Sequence, residues 1–567
     1  MSPDRHRGRD GDGFDDSDLG DSGSDEIRSG DAVFGESGSD DVAVPTGRRG
    51  GDRRRARSFD EGYDDWGAPI RRRRFSRGVA GRGRRLLVAA AIVLIAVAIV
   101  VGGSFLPVQV PSTDVAAAPL VGRTSTVCPV AGQAGADAED QPNASVTAVA
   151  IRQAPDRQGV LTGISLTGGG PLLRVDQQGF GAQIQAPTEP LLLQAVGIMS
   201  TASSGAILAR ADSGELTGLS AAPCTAPSTS QWFVGVGAEA TNRTELLLSN
   251  PDDAQAEVDL RFFGRAGRVV VPGSPGLIVP AHDTRTVSLE SLVAQAGPMT
   301  VWVRATSGRV SAMARDFRSV GLDPAGVDWH PGSVGPRRDL VVPGVPEGAG
   351  ARELQLVNPG MTRAIVKVSV LGATGPFTPV GAEQVEVPPE SATTMSLDTG
   401  LAGQGAGIEL SADQPVSAAV ISTSSRSVAG TGSAAQPDIA VEPATATLGR
   451  QGVSPIAAVT DTDGTLMLSN AADTDTTVSF TVSNLTGVTV RQGTILVPAH
   501  GTSTRNLDAS DGPAYVVVDV PDGAEIHGAV DFAQTDGSIA GLTSLPVMSP
   551  DVAARSRMAV PDPSVGR

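Results

Sequence analysis

The chain has 567 residues, a formal net charge of −18 and an aromatic content of only 3%. At about 100–200 residues per domain it has room for several domains, whose cores must be built mainly from Val, Leu, Ile and Ala. The acidic balance and scarce aromatics argue against a nucleic-acid partner, and 69 glycines with 40 prolines suit short strands joined by turns better than long helices.

Residues 1–85 form the first segment. They hold 18 arginines against 18 acids, sorted into an acidic block up to Gly47 and an arginine-rich block from Arg48 to Arg85. Such a polar, Gly- and Ser-rich stretch buries too little apolar surface to offset its chain entropy, and a disordered cytoplasmic tail is expected. Residues 86–106, LLVAAAIVLIAVAIVVGGSFL, carry no charge. Twenty-one residues at about 1.5 Å rise match a hydrocarbon core of about 30 Å, so one transmembrane helix is expected. The arginines of 71–85 face only Asp114 on the far flank, which places the N-terminus in the cytoplasm and the rest outside. A cleaved signal peptide fits less well, because about 85 residues precede the apolar run, although VAAAP at Val115–Pro119 offers small residues for cleavage.

Residues 107–127 read as a tether, and 128–230 as a divergent β-module closed by a disulfide. The chain's two cysteines, Cys128 and Cys224, both follow the helix, in a compartment where disulfides persist. Their pairing closes a loop near a hundred residues, which the chain-entropy model makes worth about 4–5 kcal/mol. A zinc site lacks further cysteine ligands. The module itself is read from short alternating runs such as SVTAVAI and VLTGISL, separated by glycine clusters.

A tandem repeat follows. ELLLSNP, ELQLVNPG and TLMLSNA contain Asn250, Asn358 and Asn470, and each precedes a second phrase, IVPAHDTRTVSL, EVPPESATTMSL or LVPAHGTSTRNL. The intervals Asn250 to Pro280, Asn358 to Pro388 and Asn470 to Pro498 are 30, 30 and 28 residues, and the unit is roughly 110 residues long. Inside each unit an alternation begins eight residues past the asparagine: Val258, Leu260, Phe262; Val366, Val368, Val370; Val478, Phe480, Val482. Period two marks a strand with one buried face. It ends at Gly264, Gly372 and Asn484, residue types suited to a turn. Six or seven such strands per unit predict tandem immunoglobulin-like β-sandwiches at 231–337, 338–449 and 450–550, with a polar, disordered tail at 551–567.

His282 and His500 stand at one repeat position where the middle unit has Glu390, so a turn is the expected role there, and neither a metal nor a catalytic site is assigned. His330 falls in a loop between units, and His527 at an outward strand position. No Gly-x-Ser-x-Gly, His-Glu-x-x-His or phosphate loop occurs. DTDG at 461–464 lacks the later ligands of a calcium loop.

The Cys128-Pro129 pair, APCTAP at 222–227, WFVG at 232–235 and the repeated LxLxNP phrase resemble an uncharacterised family of actinobacterial single-pass envelope proteins, a domain of unknown function. The resemblance implies an actinobacterial host and a genomic setting beside a glycosyltransferase, and supplies no site residues. The functional expectation is a non-enzymatic, membrane-anchored envelope protein without cofactor, an adaptor or scaffold presenting extracytoplasmic sandwiches to an envelope protein or a cell-wall glycan. The alternatives are a glycan-binding module and an enzyme with an unrecognised site. Glycan binding calls for exposed aromatic rings. The tryptophans Trp232, Trp302 and Trp329 are dispersed, and Trp232 and Trp302 lie in predicted strands where burial is expected.

Overall fold

The computed structural model describes residues 122–550 except 133–140, 154–157, 294–296, 429–431, 457–461, 508–511 and 535. They belong to the compact unit Gln109–Arg567, while the unit Met1–Val108 lies outside them. The expected tail, membrane helix and C-terminal segment therefore fall outside the described residues. Among these no helix is long and apolar enough to cross a membrane.

The described chain is all-β, and its strands pair antiparallel. In the first module β1 (Arg123–Cys128), β2 (Asn143–Ala150), β3 (Gly159–Ser165), β4 (Leu173–Val175), β5 (Phe180–Gln185), β6 (Leu191–Gly197), β7 (Ser203–Ala211) and β8 (Gly218–Pro223) form two four-stranded sheets, β1-β6-β3-β4 and β5-β2-β7-β8. Repeat 1 contains β9 (Ser230–Val236), β10 (Ala238–Glu239), β11 (Asn242–Asn250), β12 (Ala256–Gly264), β13 (Gly267–Val269), β14 (Leu277–Val279), β15 (Asp283–Ser288), β16 (Met299–Ser307), β17 (Ser311–Val320) and β18 (Asp323–His330). Repeat 2 contains β19 (Arg337–Val345), β20 (Arg352–Asn358), β21 (Ala364–Gly372), β22 (Gly375–Phe377), β23 (Val385–Val387), β24 (Ser391–Ser396), β25 (Ala406–Thr423) and β26 (Ile439–Pro443). Repeat 3 contains β27 (Gln451–Ile456), β28 (Thr462–Asn470), β29 (Thr476–Asn484), β30 (Thr489–Val497), β31 (Gly501–Asn506), β32 (Ala514–Asp519), β33 (Ile526–Gln534) and β34 (Leu542–Pro546).

Every module repeats one arrangement: an outer sheet, such as β27-β32-β29-β30, and an axial sheet, such as β31-β28-β33-β34. The first module shares it although it lacks the repeated phrases. The strand order departs from the immunoglobulin arrangement at two places. The first strand flanks the sixth, as β1 flanks β6, and the seventh flanks the second, as β7 flanks β2. The cause is visible in β25, an 18-residue strand whose first part pairs with β19 and β21 and whose last part pairs with β20 and β26. The sixth strand turns a corner into the opposite sheet instead of hairpinning within its own.

The predicted alternation maps onto β12, β21 and β29, and Val258, Phe262, Val366, Val370 and Val478 are fully buried. The turn glycines with positive φ come three residues past the strand ends, at Gly267, Gly375 and Gly487. One boundary needs correction. Residues 123–127, read as tether, belong to β1, which pairs along its whole length from Arg123↔Val196 to Cys128↔Leu191. Its first four side chains, Arg123 to Thr126, are polar, so no apolar period announced it, and β6 supplies the pairing.

Each module has an apolar core; that of repeat 3 takes in Ala206, Leu208 and Ala221 of the first module, and that of the first module takes in Leu247, Met313 and Trp329 of repeat 1. The modules then close a ring. β8 packs against β18 and β34, and β26 packs against the same two strands. The outer sheet of one module lies on the axial sheet of the next, β9 against β20 and β25, β19 against β28 and β33, and β27 against β2 and β7.

Candidate functional site

The four closing strands are edge strands of their sheets, and an edge exposes N–H groups that must find acceptors once buried. Two carboxylates on the axis accept them. Asp438 Oδ2 accepts the N–H groups of Leu219 and Leu542 at 2.7 and 3.0 Å, and its Oδ1 accepts that of Ile439 at 3.0 Å. Asp328 Oδ1 accepts the N–H groups of Ala221 and Trp329 and the Thr543 hydroxyl, and its Oδ2 accepts the N–H of Val441. Asp328 thus ties all four modules. Space around Asp438 is made by glycine: a Cβ on Gly218 or Gly326 would stand 2.4 or 2.6 Å from Asp438 Oδ1. Burial pushes the Asp438 carboxyl up to about 8 against these N–H donations, and burial also raises Asp328 well above its ordinary value.

Off the axis lie two more buried acids and one arginine. Glu442 accepts the Ser422 hydroxyl through Oε2 and Asp531 accepts the Ser544 hydroxyl through Oδ1, while Glu442 Oε1 and Asp531 Oδ2 accept no hydrogen bond. Burial raises Glu442, with Asp531 adding to the effect, and pushes Asp531 up to about 7. Arg352 lowers both electrostatically but donates its own hydrogen bonds to the carbonyls of Pro346, Ala351 and Thr423.

The repeated phrases form a latch. Asn250, Asn358 and Asn470 are buried, and their Nδ2 groups donate to Val279, Val387 and Val497, the residue before each repeat proline. They donate also to Ala254, Thr362 and Thr474, and their Oδ1 atoms accept from Asp252, Gly360 and Ala472. The near-constant Asn-to-Pro interval is the reach of this bond. His282, Glu390 and His500 then take φ of 52°, 49° and 46°, a left-handed turn position in all three repeats. His500 does more than turn. Its Nε2 meets Asp473 Oδ1 at 2.9 Å, its Nδ1 meets Glu409 Oε2 of repeat 2 at 3.1 Å, and the Asp473 contact leads the rise in its pKa. Among the described residues His282 meets only Asp253, within its own module.

Two other histidine expectations are corrected. His330 is not in a loop but ends β18, buried beside Asp316 and edge-on to Phe233. His527 is buried, not outward, because repeat 2 covers that face of β33: its Nδ1 lies 3.1 Å from Thr445 Oγ1, and burial pushes its pKa down to about 4. Cys128 and Cys224 form the disulfide, joining the end of β1 to the residue after β8. Thr462–Gly464 of the DTDG stretch lie in β28.

Among the described residues Trp232 and Trp329 are buried and Trp302 is half-buried. Trp232 stacks on Trp302 at 4.8 Å, while Arg261 covers Trp302 at 5.0 Å. Trp329 is buried, and the Tyr515 hydroxyl donates to Gly179 across the seam between repeat 3 and the first module. Among the described residues no three His, Cys, Asp or Glu side chains gather as metal ligands.

Asp328, Asp438, Glu442 and Asp531 escaped the sequence reading. Their one local signal is an acid in or beside an otherwise apolar stretch: Asp328 in GVDWH of β18, Asp438 and Glu442 in DIAVEP, just before and within β26, and Asp531 in AVDFA of β33.

These features define a class: an all-β protein of tandem antiparallel modules closed into a ring by buried carboxylates. The model of a family of unknown function, DUF5719, matches residues 176–545, and the chain belongs to that family. No curated protein matches. Among solved structures, the tetra-tandem repeat in the extending region of a large adhesion protein shares 15% identity over 75% of this chain and 98% of that chain. Its TM-score is 0.09, which carries no argument about shared fold.

Proposed function

We propose that this chain is a non-enzymatic, single-pass envelope protein of an actinobacterium, with its N-terminus cytoplasmic and its ring of modules outside, acting as an adaptor or scaffold for envelope machinery. The modules are read as immunoglobulin-like sandwiches in which the first and seventh strands have exchanged sheets. The closed ring carries this reading. Asp328 and Asp438 are engaged in holding modules together and Trp232 and Trp329 are buried, which leaves a rigid rim as the surface for partners. That rim repeats an apolar feature. Val270 and Val380 on loops and Val490 at the start of β30, 20 to 22 residues past their repeat asparagines, are 83%, 94% and 53% exposed. Exposed apolar side chains on a rigid frame suit a protein partner.

Cross-linking of intact cells followed by purification from detergent tests the reading. A defined envelope protein should be recovered with the wild type and lost with Val270→Asp, Val380→Asp and Val490→Asp combined; recovery of the chain alone, or an unchanged set of partners, refutes it. Protease added to spheroplasts should leave a membrane-bound fragment holding Met1 to Arg85. Mature protein in the medium starting near Ala116 to Pro119 refutes the anchor.

A further inference from the structure

The seam between repeats 2 and 3 contains a cleft of about 270 Å³, smaller than the roughly 300–1,000 Å³ of a site for a drug-sized molecule. Its walls include Pro346, Met467 and Leu542, and its titratable lining is wholly acidic: Glu347, Asp463 and Asp531. Glu347 and Asp463 are exposed at the mouth. Asp531 is only 5% exposed, with Oδ1 engaged by Ser544 and Oδ2 accepting no hydrogen bond. A buried carboxylate oxygen without a donor is costly, and native structures leave few of them.

The neighbouring charges sharpen the demand for a cation. Glu442 repels Asp531 from behind and Glu347 from the cleft. The one nearby base, Arg352, gives its hydrogen bonds to backbone carbonyls. A metal ion does not suit the site, since these acids are not gathered as a ligand set. A ligand with an apolar stem and several N–H donors at its tip suits both the walls and the acids.

We propose that this cleft binds a primary alkylammonium group, its stem against Pro346, Met467 and Leu542 and its head at Asp531, with Glu347 and Asp463 adding negative charge at the mouth. The sequence has a single lysine, Lys367, on β21, so the ammonium comes from another molecule, either a free amine or a lysine side chain of a partner. The proposal stands apart from the adaptor reading: a cleft that takes only a free amine leaves that reading intact.

Binding also moves a proton. Asp531, pushed up to about 7 by burial, must ionise to pair with the ammonium, so affinity should fall as pH is lowered from 8 to 6. The groups facing it are Glu347, Glu442, Arg352 and the Ser544 hydroxyl.

The test is calorimetry on the full-length chain in detergent, with 1,5-diaminopentane, a blocked lysine amide and, as the uncharged control, 1-pentanol. At pH 8 the diamine should bind one site with little proton release, at pH 6 it should bind more weakly and release close to one proton, read from heats in buffers of different ionisation enthalpy, and pentanol should not bind. Asp531→Asn should weaken binding by about tenfold or more, and Glu347→Gln and Asp463→Asn by less. Binding of the lysine amide as tightly as the diamine points to a partner's side chain, and binding of the diamine alone to a free amine. No binding of either at millimolar concentration, or equal affinity for Asp531→Asn and wild type, overturns the proposal. Should Asp531→Asn fail to fold, the exposed variants decide, and unchanged affinity in both Glu347→Gln and Asp463→Asn overturns it.

Discussion

Replacing Asp438 with alanine removes the acceptor for strands from three modules at once. The N–H groups of Leu219, Ile439 and Leu542 lose their partner in a space that Gly218 and Gly326 keep too tight to be refilled by side chains. A stranded buried donor costs about 1–3 kcal/mol, so three give about 3–9 kcal/mol, partly offset because the carboxylate no longer has to be desolvated. We expect a net loss of about 3 kcal/mol or more. The loss should spread over the ring, whereas Val366→Asp charges the interior of one sandwich and should unfold repeat 2 first. Urea unfolding of the full-length chain followed by circular dichroism measures the first, and limited proteolysis locates it. Cleavage should rise together at the connections 224–229, 331–336 and 444–450. An Asp438→Ala midpoint within about 0.5 kcal/mol of wild type, the range of a plain surface change, would refute the assignment of Asp438 as a tie between modules.

Three further outcomes can be checked by the same unfolding measurements. His282→Glu, which copies Glu390 at a turn exposed to solvent, should change stability by less than about 0.5 kcal/mol, whereas His500→Glu sets a carboxylate against Glu409 and Asp473 and should cost about 1 kcal/mol. Asn358→Ala strands the carbonyls of Thr362 and Val387 and the N–H of Gly360, and should destabilise repeat 2 by about 2–3 kcal/mol. Asp438 and Asp531 have folded pKa values of about 8 and about 7, above the ordinary 3.8, so the stability they contribute is complete below about pH 4 and is lost as pH rises through 7 and 8. The urea midpoint should therefore fall between pH 6.5 and pH 8.5, and fall less in Asp531→Asn; an unchanged slope in that variant would remove Asp531 from the account.

What the sequence determined by itself is what local chemistry controls. Period-two alternation marked β12, β21 and β29 to the residue pairs that face the core, because a strand's side chains alternate whatever its neighbours are. The asparagine and proline of each repeat announced a fixed interval, and Glu390 in place of histidine showed that the turn, not the imidazole, was repeated. The cysteine pair was legible because only two cysteines exist. The tertiary structure decided the rest. Strand order was invisible because a corner such as the one in β25 sends a strand to the other sheet without changing its composition. His527 looked outward because the alternation of β33 reports which face leaves its own sandwich, and only the ring shows that repeat 2 covers that face. Asp438 bonds to Leu219 across 219 residues and Asp328 to Thr543 across 215. An acid in an apolar strand reads locally as a blemish, and it becomes a tie only where four edge strands bring their unpaired N–H groups to one axis, because the satisfaction of a buried charge depends on groups that folding alone assembles around it.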